Sequence, residues 1–155
     1  KKKYISIEAD KSFFNYLKYQ KKISNLKYIN IGPTKYFSYP ILPFFFIQKR
    51  INVYCNYINS IFLDMKKTPD LILIDGRFRV STCLNIINFL LKKKIKNKIL
   101  IIIDDYQNRQ NYKVLEKIVK ITKIGRFGVI KYSNYQHFQK RAINNIIFKS
   151  EKDIM

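Results

Sequence analysis

"PDLILIDGRFRVSTCLNII", residues 69–87, is the stretch that decides how this chain is read. Leu71 to Ile74 is an unbroken apolar run that stops at Asp75 and Gly76. Beyond the turn the period changes, and Val80, Cys83, Leu84, Ile87 and Leu91 fall at helical spacing. A short apolar run closed by a turn is the pattern of a strand covered on both faces, and the i, i+3, i+4, i+7 stripe is one face of a helix. The stretch is therefore expected to be a strand passing directly into a helix, with an acid and two arginines at the joint.

The same alternation extends in both directions. Upstream, "KYISIEAD" (3–10) reads as a short strand ending at Glu8 or Asp10. "SFFNYLKYQKKI" (12–23) reads as a helix that Asp10 or Ser12 can cap. "KYINIG" (27–32) is a second strand, and 33–45 is loop-like, with prolines at 33, 40 and 43. From Phe46 to Lys67 the spacing of Ile47, Ile51, Tyr54, Ile58, Ile61 and Met65 is helical.

Downstream, "KILIIIDDY" (98–106) is a central strand, and Val114, Leu115, Ile118, Val119 and Thr122 predict another amphipathic helix. "RFGVIKYS" (126–133) is a late strand, and 136–149 a terminal helix. Strands separated by helices imply parallel pairing with helices on both faces. The expected fold is a three-layer, Rossmann-like α/β domain with a mostly parallel sheet, spanning 1–155 as one domain.

Composition sets the limits on function. The 155 residues suffice for one domain with a real core, and a hydrophobic fraction of 47% argues against disorder. Tyr and Phe number 12 each and Trp is absent, so the core is expected to rest on aromatics and isoleucine. The net charge of +21 invites a nucleic-acid partner. Lysine supplies most of it, however, and Lys, Ile and Asn all have A/T-rich codons, so a skewed genome produces the same charge. A nucleic-acid partner is possible on this evidence and not favoured.

No apolar run is long enough to span a membrane, and the N-terminus is not a signal peptide. Cys55 and Cys83 sit in apolar or helical patterns, as free thiols would in a reducing, cytoplasmic compartment. The chain opens on Lys rather than Met, from which a fragment or processed product is expected, with the start of the fold missing.

In sheets of this kind ligands bind at the carboxyl ends of the strands. Three predicted strands end in acids, at Glu8/Asp10, Asp75 and Asp104/Asp105, which together use five of the ten acids in the chain. Helix capping explains any one of them, since Asp10 and Asp75 each precede a predicted helix. The repetition at three strand ends points instead to one functional rim.

Glu8 suits a pair of ribose hydroxyls, and Asp75 suits a substrate hydroxyl or amine, or the methionine part of a cofactor. Asp104 and Asp105, beside Tyr106, form a candidate base or divalent-metal pair, of which only one can readily face a site. Arg77 and Arg79 lie two residues apart, so one can pair with a rim carboxylate while the other reaches an anionic substrate. His137, the single histidine, reads as a surface residue. The sequence contains neither a Cys/His metal cluster nor a phosphate-binding loop.

Five stretches carry a likeness: "SIEAD", "NIGPT" with Pro40 after it, "PDLILIDGRFRV", "IIIDDY" and "YKVLEKIVKITKIGRFGVI". Across residues 4 to 131 the chain resembles the later part of a class I S-adenosylmethionine-dependent methyltransferase, and more closely a poorly characterised bacterial family of that fold. The resemblance implies that Glu8 binds the cofactor ribose and that Gly32, Pro33 and Thr34 line the adenine side. It places Asp75 beside the transferred methyl group, with Arg77, Asp105 and Tyr106 on the remaining rim. It also implies a first strand and glycine-rich loop, absent from these residues, lying between the strands that end at Glu8 and Asp75. Phe37-Ser38 stands where the family has a tryptophan-glycine pair, and Lys113 where it has a histidine.

The expected activity is methyl transfer to a small molecule or glycan precursor. A nucleotide-sugar-dependent transferase shares the same rim and would need a divalent metal at Asp104/Asp105. A degenerate domain binding RNA or a protein partner through its lysines is the non-enzymatic alternative.

Overall fold

The computed structural model describes residues 4–35, 39–41, 47–63 and 67–133. The terminal helix expected at 136–149, His137 and Phe37-Ser38 lie outside them. The chain forms two compact units, Lys1–Asp64 and Met65–Met155.

In the first unit β1 (Ser6–Glu8) and β2 (Leu26–Tyr28) pair in parallel, with Glu8 opposite Tyr28. Between them runs α1 (Lys11–Asn15), which continues through a wider π-helical stretch, Tyr16–Gln20. Asp10 starts the helix, its Oδ1 accepting the backbone N–H of Phe13 at 2.8 Å, which satisfies one of the orphan donors of the first turn. The region read as loop holds a short antiparallel hairpin of β3 (Thr34–Lys35) and β4 (Tyr39–Pro40). Two-residue strands carry too little alternation to announce themselves. The helix α2 (Ile47–Leu63) follows, with Tyr54 and Ile58 buried.

The second unit is built on β5 (Leu71–Ile74), α3 (Arg79–Lys92), β6 (Ile99–Ile103), a 3-10 helix (Gln110–Lys117), β7 (Thr122–Ile124) and β8 (Phe127–Tyr132). Its four-stranded sheet has the order β5-β6-β8-β7. β5 and β6 are parallel, as the helix between them requires, whereas β8 runs antiparallel to both β6 and β7. The sheet is thus mixed, which corrects the expectation of a mostly parallel one.

The cause of that reversal is local. The helix expected through Thr122 ends as a 3-10 turn at Lys117, and Thr122–Ile124 turns back through Gly125-Arg126 as a hairpin. Gly125 has φ +54°, a conformation that costs glycine nothing.

The core of this unit is mainly aliphatic, joined by the buried tyrosines Tyr106, Tyr112 and Tyr132. Cys83, Leu84, Ile86, Ile87 and Leu90 of α3 are buried, as are Ile99, Ile101 and Ile103 of β6 and Ile130 of β8. Each large aliphatic side chain so buried is worth roughly 1.5–3 kcal/mol. β5 departs from expectation: Ile72 and Ile74 are buried, but Leu71 and Leu73 on its other face are 54% and 58% exposed. No described helix is long and apolar enough to cross a membrane.

Candidate functional site

The parallel register of β5 and β6 does the first part of the assembly. Ile74 pairs with Ile103, and the N–H of Asp104 donates to the carbonyl of Ile74 at 3.0 Å. Asp75 and Asp104, each the residue after its strand, therefore leave the sheet side by side. Placed side by side, the two carboxyls act on one another, raising Asp75 and lowering Asp104. Like charges held this close cannot both ionise freely, and their proton affinities are driven apart.

Asp104 is the ionised partner. It is 4% exposed, and the guanidinium of Arg126 grips both of its oxygens, Nε on Oδ1 and Nη2 on Oδ2. That bidentate pairing, against the opposing effect of burial, pulls the carboxyl down to about 2. Asp75 moves the other way. Partial burial first, then the hydrogen bond and charge of Asp104, raise it, while Arg79 and Arg126 offset part of the rise. Its side chain remains 60% exposed. Asp75 is the less acidic member of the pair and the one that meets solvent.

Arg79 fixes this arrangement from the first turn of α3. Its Nη2 donates to the carbonyl and to Oδ1 of Asp75, both at 3.0 Å. Nη1 donates to the carbonyl of Asp104 at 3.0 Å and to Oδ2 of Asp105 at 3.3 Å, and Nε to the carbonyl of Gly76 at 3.1 Å. One planar cation thus binds the ends of both strands, a task for which the fork geometry of Arg is suited and Lys is not. Its side chain is only 12% exposed.

The backbone is bent to allow these contacts. Phe78, at the start of α3, has φ +58°, and Asp105 has φ +52°. Asp tolerates the left-handed region, but for a bulky residue such as Phe78 it costs on the order of 1–2 kcal/mol. Both left-handed residues flank the carboxylate pair, and such conformations concentrate at functional sites.

Asp105 faces outward among three guanidiniums, with Arg79 at 3.3 Å and Arg109 and Arg126 at 3.5 Å. Its neighbour Tyr106 turns inward and is 2% exposed. The Tyr106 hydroxyl donates to Glu116 at 3.1 Å, and burial followed by that carboxylate drives its proton affinity above the ordinary phenol value. The ring lies flat against the backbone of Gly128, where an added Cβ would stand 2.6 Å from Tyr106 Cγ. Tyr106 anchors the chain after β6 to β8. Arg77 is half-buried in the turn between β5 and α3. Of the two arginines the sequence offered, Arg79 takes the carboxylate.

The residues singled out in the first unit stand at the ends of its own parallel pair. Glu8 closes β1, and its Oε1 accepts the N–H groups of Ala9 and Asp10 at 2.7 and 2.8 Å. These two amides set the direction of the carboxylate and leave Oε2 outside the pairing. After β2, Asn30 Oδ1 accepts the N–H of Gly32 at 2.8 Å, closing a turn in which Gly32 has φ +89°. Pro33 and Thr34 follow, the carbonyl of Pro33 accepting from Ile41.

Arg126 and Arg109 are the site residues that sequence reasoning missed. Arg126 reaches Asp104 through the β7–β8 hairpin, and only its place in a Gly-Arg turn could have signalled it. Arg109 lies four residues after Asp105, a spacing that could have been read directly. Among the described residues no group of His, Cys, Asp or Glu is arranged to hold a metal; Asp104 and Asp105 are taken up by arginines. Cys83, pushed up to about 12 by burial, has no nucleophilic character.

No family model and no curated protein matches this chain. The structure is similar to the crystal structure of a methyltransferase-like protein from Silicibacter pomeroyi, with a TM-score of 0.70 and 20% sequence identity. The match covers 95% of this chain and 75% of that protein. The fold is thus a methyltransferase-like α/β fold, with the mixed sheet described above.

Proposed function

We propose that this chain is a cytoplasmic S-adenosylmethionine-dependent methyltransferase, or part of one, acting on a small molecule or glycan precursor. The observation that carries the reading is Asp75: a solvent-facing carboxyl at the end of β5, oriented by Arg79 and standing beside the strand-end Asp104, in a fold similar to that of a methyltransferase-like protein.

The donors present fit the cofactor. Glu8 has a carboxylate aimed by two backbone amides, with Oε2 left to accept ribose hydroxyls. The Gly32–Thr34 turn follows the neighbouring parallel strand and would line the adenine side. When bound, S-adenosylmethionine supplies an electrophilic methyl group on a sulfonium. The protein then has mainly to align the acceptor, which needs little acid–base chemistry.

Asp75 accepts a hydrogen bond or a proton from the acceptor's hydroxyl or amine. Arg77 is the candidate for an anionic group on the substrate, and Asp105 holds the guanidiniums in register. Tyr106 contributes as the buried anchor behind Asp105, without touching substrate. The reading calls for a further, glycine-rich strand to complete the cofactor-binding domain. Among the described residues β1 pairs only with β2, and β5 only with β6, so each has an edge that can accept a strand.

The test is calorimetric titration of S-adenosylhomocysteine into the 155-residue chain and into the product of its full reading frame. Glu8→Ala and Asp75→Asn serve as controls. Micromolar binding to the full product, lost in Glu8→Ala, supports the pocket. A well-folded full product that binds nothing rejects the assignment.

A further inference from the structure

The helix of the first unit presents a surface that the proposed methyl transfer does not use. Along Lys11–Gln20, Phe14 and Leu17 are half-buried, and the Phe14 ring packs on Tyr28 of β2 at 5.4 Å between centroids. The other side carries Phe13, Tyr16 and Tyr19, which are 50%, 45% and 66% exposed. Phe13 and Tyr16 lie nearly parallel, 19° apart with centroids at 6.1 Å. Three aromatic rings left in water on one short helix forgo burial that a core would reward.

Lysines frame those rings. Lys18 Nζ stands 5.6 Å from the Tyr19 ring and 5.4 Å from Phe14, and Lys21 Nζ stands 5.6 Å from Tyr16. Lys11 and Lys22 are exposed at the two ends of the segment. No acid occurs in the sequence between Asp10 and Asp64, so nothing along the helix neutralises this charge. Tyr16 and Tyr19 lie in the widened stretch Tyr16–Gln20, a type of distortion found often at functional positions.

We infer that this face of α1 and its π-helical continuation is a binding surface for single-stranded nucleic acid. Exposed flat rings offer stacking platforms to unpaired bases, and the interleaved ammonium groups meet the phosphates. An anionic membrane would also attract lysines. Insertion, however, needs a continuous apolar face, and here the exposed rings alternate with Asn15, Lys18 and Gln20 while Phe14 turns inward. The inference stands on the first unit alone and does not depend on methyl transfer.

The experiment is fluorescence anisotropy of labelled oligouridylate and oligodeoxythymidylate with the full chain, from 50 to 200 mM salt. The variants are Tyr16→Leu/Tyr19→Leu, Lys18→Gln/Lys21→Gln, and a control pair, Lys92→Gln/Lys93→Gln, on exposed positions of the second unit. The ring variant should weaken binding by about 5- to 150-fold per ring with the salt slope unchanged. Lys18→Gln/Lys21→Gln should lower the salt slope by about 1.4, and the control pair by less.

Equal binding by the ring variant and the wild type overturns the proposal. So does a control pair as damaging as Lys18→Gln/Lys21→Gln, which would mean generic attraction to a basic protein. Binding to phosphatidylserine vesicles that the leucine variant retains, with none to the oligonucleotides, overturns it in favour of a membrane. The substituted tyrosines are largely exposed, and unchanged circular dichroism and melting temperature check the fold; a variant that fails this check is replaced by Tyr19→Leu alone, at the most exposed ring.

Discussion

The two units end their parallel strands in the same way and then treat the resulting acids differently. At the end of β1, Glu8 bends back onto the amides of Ala9 and Asp10, and no arginine among the described residues engages it. At the ends of β5 and β6, Asp75, Asp104 and Asp105 are held by Arg79, Arg109 and Arg126. The first arrangement orients a carboxylate and leaves capacity for a ligand. The second spends most of its capacity on arginines, and leaves Asp75 as the carboxyl most open to solvent. A strand-end acid is thus a binding group or a structural one according to what the next turn brings to it.

The largest effect should come from removing the cation that makes the second unit different. Arg79→Ala leaves two strand-end carbonyls and two carboxylates without their shared donor. Arg79 is mostly buried but its carboxylate partners are 60% and 38% exposed, so the loss rests chiefly on the strand-end carbonyls and should be about 1.5–3 kcal/mol. Urea unfolding should show this as a lower midpoint with an unchanged slope, and Arg79→Lys should recover less than half. A loss below about 1 kcal/mol, the range of exposed ion pairs, would mean that the cluster is as loosely held as Glu8.

Next is Gly128→Ala. The new Cβ would meet the Tyr106 ring at 2.6 Å, and since that ring is enclosed, the strain should cost roughly 1–3 kcal/mol. Tyr106→Leu in the same chain should relieve part of it, a non-additivity readable in a double-mutant cycle.

The acid pair gives the comparison a pH signature. Asp104, held at about 2 by Arg126, stabilises the fold at pH values above the ordinary carboxyl value of 3.8. That contribution is lost as pH falls from there through 2. Asp75 is raised, so its contribution has the opposite sign. It is fully present below 3.8 and is lost as pH rises through the raised value. Melting temperatures between pH 2 and 6 should therefore fall less steeply at the acid end in Asp104→Asn. In Asp75→Asn the decline on the higher-pH side should disappear. If neither substitution changes the profile, the two carboxyls do not act on one another.

Much of this was legible because strands and helices of the βα units differ in period. The apolar runs at 71–74 and 99–103 and the stripe on α3 announce themselves, and so does the acid directly after each strand. Parallel register then brings Asp75 and Asp104 together with no further information. The hairpin was not legible. Thr122–Ile124 is fully exposed, so it lacks the alternation of a half-buried strand, and Val114, Leu115, Ile118 and Val119 mimic a longer helix. Arg126 went unnoticed with it, because its partner is 22 residues away. The five contacts of Arg79 were equally hidden, since they depend on the left-handed turn at Phe78 that precedes α3.

The smallest effect on stability belongs to Glu8, and it sharpens the contrast most. Glu8→Ala removes two hydrogen bonds to backbone amides at the partly buried end of a three-residue strand. The loss should be about 1 kcal/mol, the worth of a helix-cap contact of the same kind. If Oε2 is the ribose acceptor, the same substitution should abolish S-adenosylhomocysteine binding by calorimetry, while Arg79→Lys, which perturbs the other unit, weakens it far less. A Glu8→Ala chain that unfolds as readily as Arg79→Ala would reverse the assignment, making Glu8 a structural acid like Asp104. Binding lost with stability kept would mean that a strand-end carboxylate left without an arginine is one left for a ligand.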